Sequence, residues 1–276
     1  MKKIVITGAL GYIGTELCKL YSGFSWKYEV VAIDNRFISE RVNELKRRKI
    51  KFIQADILNL ESIKPFIEEA EIVHHLAGIT DVAYVKKESD KAKDELTIKV
   101  AIEGTTNILR SMNINATIVF PSTHVVFEGL TEKKENLDEN EKTNTFLAYS
   151  TSKVENEKQI INSGKKYAIF RLGSVYGFST DTMRMNIMPN LFSKIASQNG
   201  KIKLYGGGVQ LKSLVPLIDV ARCFKFFEEK ENFVDGIYNL SKENVTVKDV
   251  ADICKKINPK LEVISTDDEV PNKGYS

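Results

Sequence analysis

The 276 residues predict an α/β fold built on a doubly wound parallel sheet, with a smaller, interleaved lobe toward the C-terminus. Three observations carry that expectation. Short β-branched runs alternate with longer helical patterns, a glycine triplet stands where the first run ends, and the alternation loosens near Val175.

The first run is Lys3 to Thr7, followed by a helical pattern from Ile13 to Tyr21 and a second run from Glu29 to Ile33. Lys51 to Gln54, a helix over Ser62 to Glu69 and a strand over Ile72 to Leu76 repeat the unit. A long helix from Asp90 to Met112 leads into a strand over Thr117 to Ser122, and Tyr167 to Leu172 is the last regular strand. Runs made almost wholly of Ile, Val and Phe need cover on both faces, and short strand-to-helix loops give right-handed crossovers, so the sheet should be parallel. The acid-rich stretch Glu128 to Thr145 reads as a surface loop. Two units are expected, a dinucleotide-binding domain over residues 1–174 and a substrate lobe over 175–276, with segments of the second returning to the first.

Composition narrows the function. Forty Lys and Arg against 37 Asp and Glu leave a net charge of +3, so no chain-wide field draws nucleic acid or an anionic membrane. With 42% hydrophobic residues the chain supports a large core, yet no uncharged apolar run is long enough to span a membrane. The apolar stretch behind Met1-Lys2-Lys3 is too short for a signal-peptide core, and the three cysteines lie at no metal-ligand spacing, so a reducing cytoplasm is expected. Of the three histidines, His74 and His75 are adjacent in a strand and face opposite ways, so with His124 they suggest no metal site.

Chemistry begins at Thr7-Gly8-Ala9-Leu10-Gly11-Tyr12-Ile13-Gly14, where the first strand turns into the first helix. Gly8 permits the tight turn, Gly11 lets backbone approach a pyrophosphate, and Gly14 lets the helix pack on the strand, while Tyr12 and Ile13 open a helix whose N–H groups favour phosphate. Asp34 ends the second strand pattern, where a carboxylate accepts the hydroxyls of an adenosine ribose and repels a 2′-phosphate. NAD is therefore the expected cofactor, even with Arg36 two residues on.

A second constellation is Tyr149-Ser150-Thr151-Ser152-Lys153, with phenol and ammonium on one helical face. A nearby cation lowers the phenol from its ordinary pKa of about 10, so Tyr149 can accept a hydroxyl proton. Upstream, Pro121-Ser122-Thr123 places hydroxyls at the carboxyl edge of the sheet, where this architecture binds ligands.

Taken together, these motifs make the chain resemble, over essentially its whole length, an extended short-chain dehydrogenase/reductase with a Rossmann domain, of the NAD-dependent nucleotide-sugar epimerase/dehydratase family. Asp34-Asn35 resembles that family's ribose-binding pair, Asp56-Ile57 its adenine-contacting strand end, and His75-Leu76-Ala77-Gly78 the segment along the cofactor. Phe120 to Phe127 aligns with its F-x-S-S/T-x-x-V-Y, which implies Thr123 as the catalytic hydroxyl beside Tyr149 and Lys153. The resemblance is nearest to UDP-hexose 4-epimerases. Asn186-Ile187-Met188-Pro189 is similar to their substrate clamp, and Gly206 to Lys212 to a loop whose basic residue pairs with the substrate diphosphate. Thr80 and Ser174 are implied as further substrate contacts.

Some positions depart from the family pattern. Ala101 stands where relatives carry Asn, Lys212 replaces an arginine, and a further C-terminal helix of the relatives would follow Ser276. His124-Val125 occupies the place of the Asp-Glu pair of 4,6-dehydratases, so elimination of water lacks its acid and base. The expected function is NAD-dependent epimerisation of a nucleotide sugar at hexose C4, by a homodimer. The alternatives are a reductase or dehydrogenase using the same residues, and a non-catalytic dinucleotide-binding scaffold.

Overall fold

The computed structural model describes residues 1–80, 90–130, 132–228, 233–268 and 274–276. Strand β1 (Lys2–Thr7) is followed by α1 (Tyr12–Ser22), β2 (Tyr28–Asp34), α2 (Ser39–Arg47), β3 (Lys51–Gln54), α3 (Leu60–Ile67) and β4 (Ile72–His75). The helix α4 (Lys91–Ser111), β5 (Thr117–Thr123), α5 (Ala148–Ile161) and β6 (Lys166–Leu172) continue the alternation, and β10 (Gly236–Leu240) returns much later in the chain. These strands form one seven-stranded sheet in the order β10-β6-β5-β4-β1-β2-β3, every pair parallel. The order reverses between β1 and β4, so their carboxyl ends open the crevice in which such sheets bind ligands.

Alternation along β1 shows why the sheet is covered on both sides. Ile4 and Ile6 join Leu17, Tyr21, Phe170 and Phe224 in one core, and Val5 joins Ile33, Ile63, Ile108, Ile118 and Phe120 in the other. The adjacent histidines follow the same rule. His74 bonds the Tyr21 hydroxyl at 2.8 Å and stacks on Phe224, and His75 bonds Thr7 and Thr105 at 3.0 Å each on the opposite side.

After Leu172 the chain leaves the large sheet, and β7 (Ser174–Tyr176) pairs with β9 (Leu211–Pro216), which pairs in turn with β11 (Glu243–Thr246). Helices α6 (Met188–Ser197) and α8 (Val247–Ile257), with β8 (Lys201–Tyr205) and β12 (Glu262–Thr266), surround a separate core of Phe192, Leu204, Leu214, Val250 and Leu261. Helix α7 (Leu217–Glu228) goes back to the first body, where Val220, Ala221 and Phe224 are fully buried in the core that contains α1.

The sequence reading passed over α2 after Asp34, a mostly polar helix that buries Val42 and Leu45, three residues apart on one face. One sequence expectation needs correction. Glu128 does not belong to a surface loop: it is buried, and its carboxylate accepts the Phe146 and Leu147 N–H groups at 3.1 and 2.8 Å together with the Ser150 hydroxyl, capping α5. No described helix is long and apolar enough to cross a membrane.

Candidate active site

The glycine turn is held by contacts that a side chain would break. Gly8 has φ +66°, and a Cβ there would lie 2.8 Å from the Ala77 nitrogen; at Gly14 it would lie 2.4 Å from the Gly8 carbonyl oxygen. Gly11 donates its N–H to Gly8 at 3.0 Å and heads α1 without a side-chain cap. The Thr7 hydroxyl accepts the Ala77 N–H at 3.2 Å, tying the ends of β1 and β4 together beside Leu76 and Gly78. A Cβ on Gly78 would meet no atom within 4 Å, so this side of the crevice is open.

Asp34 is 5% exposed at the end of β2. One of its oxygens accepts the Leu10 N–H at 3.0 Å and Arg36 Nη2 at 3.3 Å; the other accepts Arg36 N and Nε, each at 3.1 Å. Asn35 donates to Asp56 at 3.2 Å, so these two residues brace the neighbouring strand ends. Ile57 is buried, and its side chain fills the space that a Cβ on Gly104 would need. A glycine cradle at the head of a helix, with a buried carboxylate at the end of the next strand, fits a dinucleotide of the NAD type; the Arg36 guanidinium must turn aside before ribose hydroxyls reach Asp34.

Across the crevice, β5 and α5 bring the second constellation together. Lys153 donates to the Pro121 carbonyl at 2.8 Å, and its ammonium lies 4.3 Å over the Phe120 ring and 5.9 Å from the Tyr149 ring centre. Burial pushes the ammonium down to about 8, against the pull of the Glu157 carboxylate, which raises it. The neighbouring hydroxyls divide. Ser122 donates to Glu157 at 2.5 Å in a buried network, whereas the Thr123 hydroxyl accepts the Val125 N–H at 3.1 Å at the mouth of a short 3-10 turn. His124 opens that turn with its ring edge-on to Tyr275, and burial first, with Lys212 second, pushes its imidazole down to about 3.

The expected substrate residues are spread more widely. Lys212 is half-buried on β9, and desolvation lowers its pKa. Ser174 opens β7, paired across from Leu214, while Asn186 and Thr80 are exposed.

Sequence reasoning missed a strap over residues 177–184 that crosses the head of α1. The Tyr12 hydroxyl donates to the Gly177 carbonyl, Thr15 meets Thr182 at 3.3 Å, and Arg184 reaches the Thr80 carbonyl at 3.0 Å. Arg41 on α2 grips it with three bonds of 2.7 Å, two to Asp181 and one to the Leu10 carbonyl of the glycine turn. Buried Asn190 ties the two ends of the strap by accepting from Gly177 N–H at 3.0 Å and donating to the Arg184 carbonyl at 2.9 Å. Tyr12 thus spends its hydroxyl on the strap, a role that no local motif announces.

Among the described residues no cluster of His, Cys, Asp and Glu could hold a metal ion, and Cys18, Cys223 and Cys254 are free thiols.

A model of the NAD dependent epimerase/dehydratase family matches residues 4–241. Among curated proteins, a dTDP-D-glucose 4,6-dehydratase of Dictyostelium discoideum is 25% identical over 261 residues, 87% of this chain. A putative UDP-glucose 4-epimerase of Methanocaldococcus jannaschii is 28% identical over 229 residues, 80% of this chain. The chain spans 58% of the length of the first relative and 71% of the second. In fold it is similar to a UDP-glucose 4-epimerase of Thermotoga maritima solved with UDP-glucose, with a TM-score of 0.82 at 22% identity over 99% of this chain and 88% of the other.

Proposed function

The chain belongs to the NAD dependent epimerase/dehydratase family, and from that premise we propose that it is an NAD-dependent nucleotide-sugar epimerase acting at hexose C4. The observation that carries this reading is the half-buried Lys153, one helical turn from Tyr149 and bonded to the strand end that presents Thr123. NAD, when bound, would supply a reversible acceptor for the C4 hydride and its electron pair. The glycine turn and the head of α1 would hold its pyrophosphate, Asp34 its adenosine ribose, and Asn35, Asp56, Ile57 and the Leu76-Ala77-Gly78 segment would flank its length.

Tyr149 takes the C4 hydroxyl proton while Lys153 stabilises the phenolate and bonds the nicotinamide ribose. Thr123 donates to the same reacting oxygen as charge develops there. After the keto sugar has turned in the site, Tyr149 returns the proton, so the reaction has no net oxidant. Lys212 pairs with the diphosphate, and Ser174, Asn186 and Thr80 flank the sugar side.

Elimination of water is disfavoured by one feature of the site. His124 stands where a dehydratase needs its acid, and an imidazole pushed down to about 3 holds no extra proton to give at neutral pH. The homodimer, through α4 and α5, and a cytoplasmic setting belong to the same reading.

The test is incubation of purified protein and NAD with a panel of UDP-, GDP-, CDP- and dTDP-sugars, read by NMR. Interconversion of C4 epimers without net consumption of NAD is expected. Stoichiometric reduction or oxidation of a sugar would instead assign a reductase or dehydrogenase, and binding of NAD without turnover on any sugar would assign a scaffold.

A further inference from the structure

We propose that Glu128 is a positioning residue for the reaction assigned above, a buried carboxylate that sets the spacing between the Thr123 hydroxyl and the Tyr149 phenol. The proposal rests on that assignment of Thr123 and Tyr149. The two groups must meet one sugar oxygen, yet they stand on separate elements, Thr123 at the end of β5 and Tyr149 at the second position of α5. Thr123 caps the 3-10 turn His124–Phe127, and Glu128 closes that turn by donating its N–H to the Val125 carbonyl at 3.0 Å. The Glu128 backbone is therefore tied to the strand end that presents Thr123.

The Glu128 side chain holds the other element. One oxygen, Oε1, accepts the Phe146 N–H at 3.1 Å, the Leu147 N–H at 2.8 Å and the Ser150 hydroxyl. Leu147 heads α5 without a side-chain cap of its own and Ser150 is fully buried, so these donors bracket Tyr149 on both sides. The first turn of α5 carries no acidic residue, and Glu128 supplies from a distance the anion that a helix N-terminus favours. Contacts from backbone N–H groups to a carboxylate are stronger than neutral ones, and Glu128 is buried away from competing water.

Neighbouring contacts keep the two elements together without fixing the phenol. Asn144 donates its N–H to the Val126 carbonyl and accepts the Gly129 N–H at its own carbonyl, at 2.8 Å each, so the loop leaves and returns at one point. Beneath it, Val126 and Phe127 pack with Val154 of α5. None of these contacts bonds residues 146–150, the stretch that carries Tyr149. Loss of the Glu128 carboxylate therefore leaves the join in place and frees the head of α5 to shift, and a misplacement of about 1 Å at a reacting group costs on the order of a hundredfold in rate.

The experiment compares steady-state kinetics of Glu128→Ala and Glu128→Gln, each with Thr123 intact and combined with Thr123→Val, on the sugar that the native protein turns over. Glu128→Ala should lose about tenfold to a hundredfold in kcat, with KM for the sugar and Kd for NAD changed by less than about twofold. Glu128→Gln keeps a carbonyl oxygen for the same donors and should recover kcat to within about threefold of native. In Thr123→Val the spacing has no second hydroxyl to serve, so adding Glu128→Ala should cost less than about threefold more. Ser150→Ala, which deletes one of the three donors, carries the same comparison where Glu128→Ala fails to fold. Full multiplication of the two losses, or a loss confined to KM, overturns the proposal, because Glu128 would then serve stability or binding alone. Full turnover by Tyr149→Phe would instead overturn the assignment of the base, a result distinct from the coupling.

Discussion

Replacing Arg36 by alanine should tighten NAD and sharpen the discrimination against NADP. In the structure the guanidinium sits on Asp34 through contacts of 3.1 and 3.3 Å, with the Asp34 side chain 3% exposed and that of Arg36 54% exposed. Ribose hydroxyls can take those carboxylate oxygens only after Arg36 has moved. A pair with one side so exposed is worth about 0.2–1 kcal/mol, so Arg36→Ala should lower the Kd for NAD by no more than about fivefold. NADP meets the opposite balance. A phosphate charge about 4 Å from the carboxylate costs about 4 kcal/mol at an effective dielectric of 20, and Arg36 recovers a part of this in the native protein. NAD should therefore bind the native protein at least roughly tenfold tighter than NADP, and the gap should widen in Arg36→Ala. Calorimetric titration of both proteins with both nucleotides measures all four constants. Equal or tighter binding of NADP to the native protein would refute the reasoning, because Arg36 rather than Asp34 would then govern the pocket.

The hydroxyls should rank in a fixed order: Tyr149→Phe loses roughly 10²–10⁴ in kcat with NAD binding kept, Thr123→Val loses roughly 10–10³, and Ser122→Ala loses least, all read by steady-state kinetics. A larger loss in Ser122→Ala than in Thr123→Val would move the catalytic hydroxyl by one residue. Arg41→Ala removes three bonds to the strap and the glycine turn; the NAD dissociation rate in stopped-flow displacement should rise about fivefold, a change of about 1 kcal/mol, and an unchanged rate would detach the strap from cofactor retention. His74 and His75, each pushed down to about 3 by burial, bind fewer protons folded than unfolded. Their contribution is complete above the unfolded value of about 6.5 and fades as pH falls toward about 3, so the unfolding free energy from urea melts should drop by up to about 1.4 kcal/mol per pH unit for each histidine. Light scattering at micromolar concentration should report a dimer, and a monomer would remove the α4–α5 pairing.

The parts of the fold that were legible in the chain are those written in a local period. Ile4-Val5-Ile6 alternates between two cores, and the turn glycines stand at a spacing that backbone contact requires. Helix α2 was passed over although Val42 and Leu45 stand at helical spacing, because the stretch around them is otherwise polar and short. Glu128 reads as solvated by composition, and only the chain brought back at Phe146 and Leu147 makes it a cap. At the site, Tyr149 and Lys153 share a helix and so share a pattern. Arg41 and Asp181 lie far apart in sequence, and their bond, like that from Asn190 to the Tyr12 hydroxyl, exists only once the second body is folded against the first. The separate tasks of Ser122 and Thr123 were likewise invisible, since adjacent hydroxyls look alike until one is seen to bond Glu157.

The return of α7 and β10 to the large sheet has a consequence for modularity. Cutting the chain after Ser174 would remove the strand that pairs with β6 along Ala168 to Leu172 and the helix that brings Phe224 against His74 and Phe170. A cofactor half expressed alone would therefore present an unpaired sheet edge and a bared aromatic face, both of which invite aggregation. Exchanging sugar specificity between relatives by transplanting a contiguous C-terminal piece would carry part of the nucleotide half along with it. Grafts that respect this interleaving would have to be confined to the loops and the small sheet of β7, β9 and β11, with α7 and β10 left in the recipient.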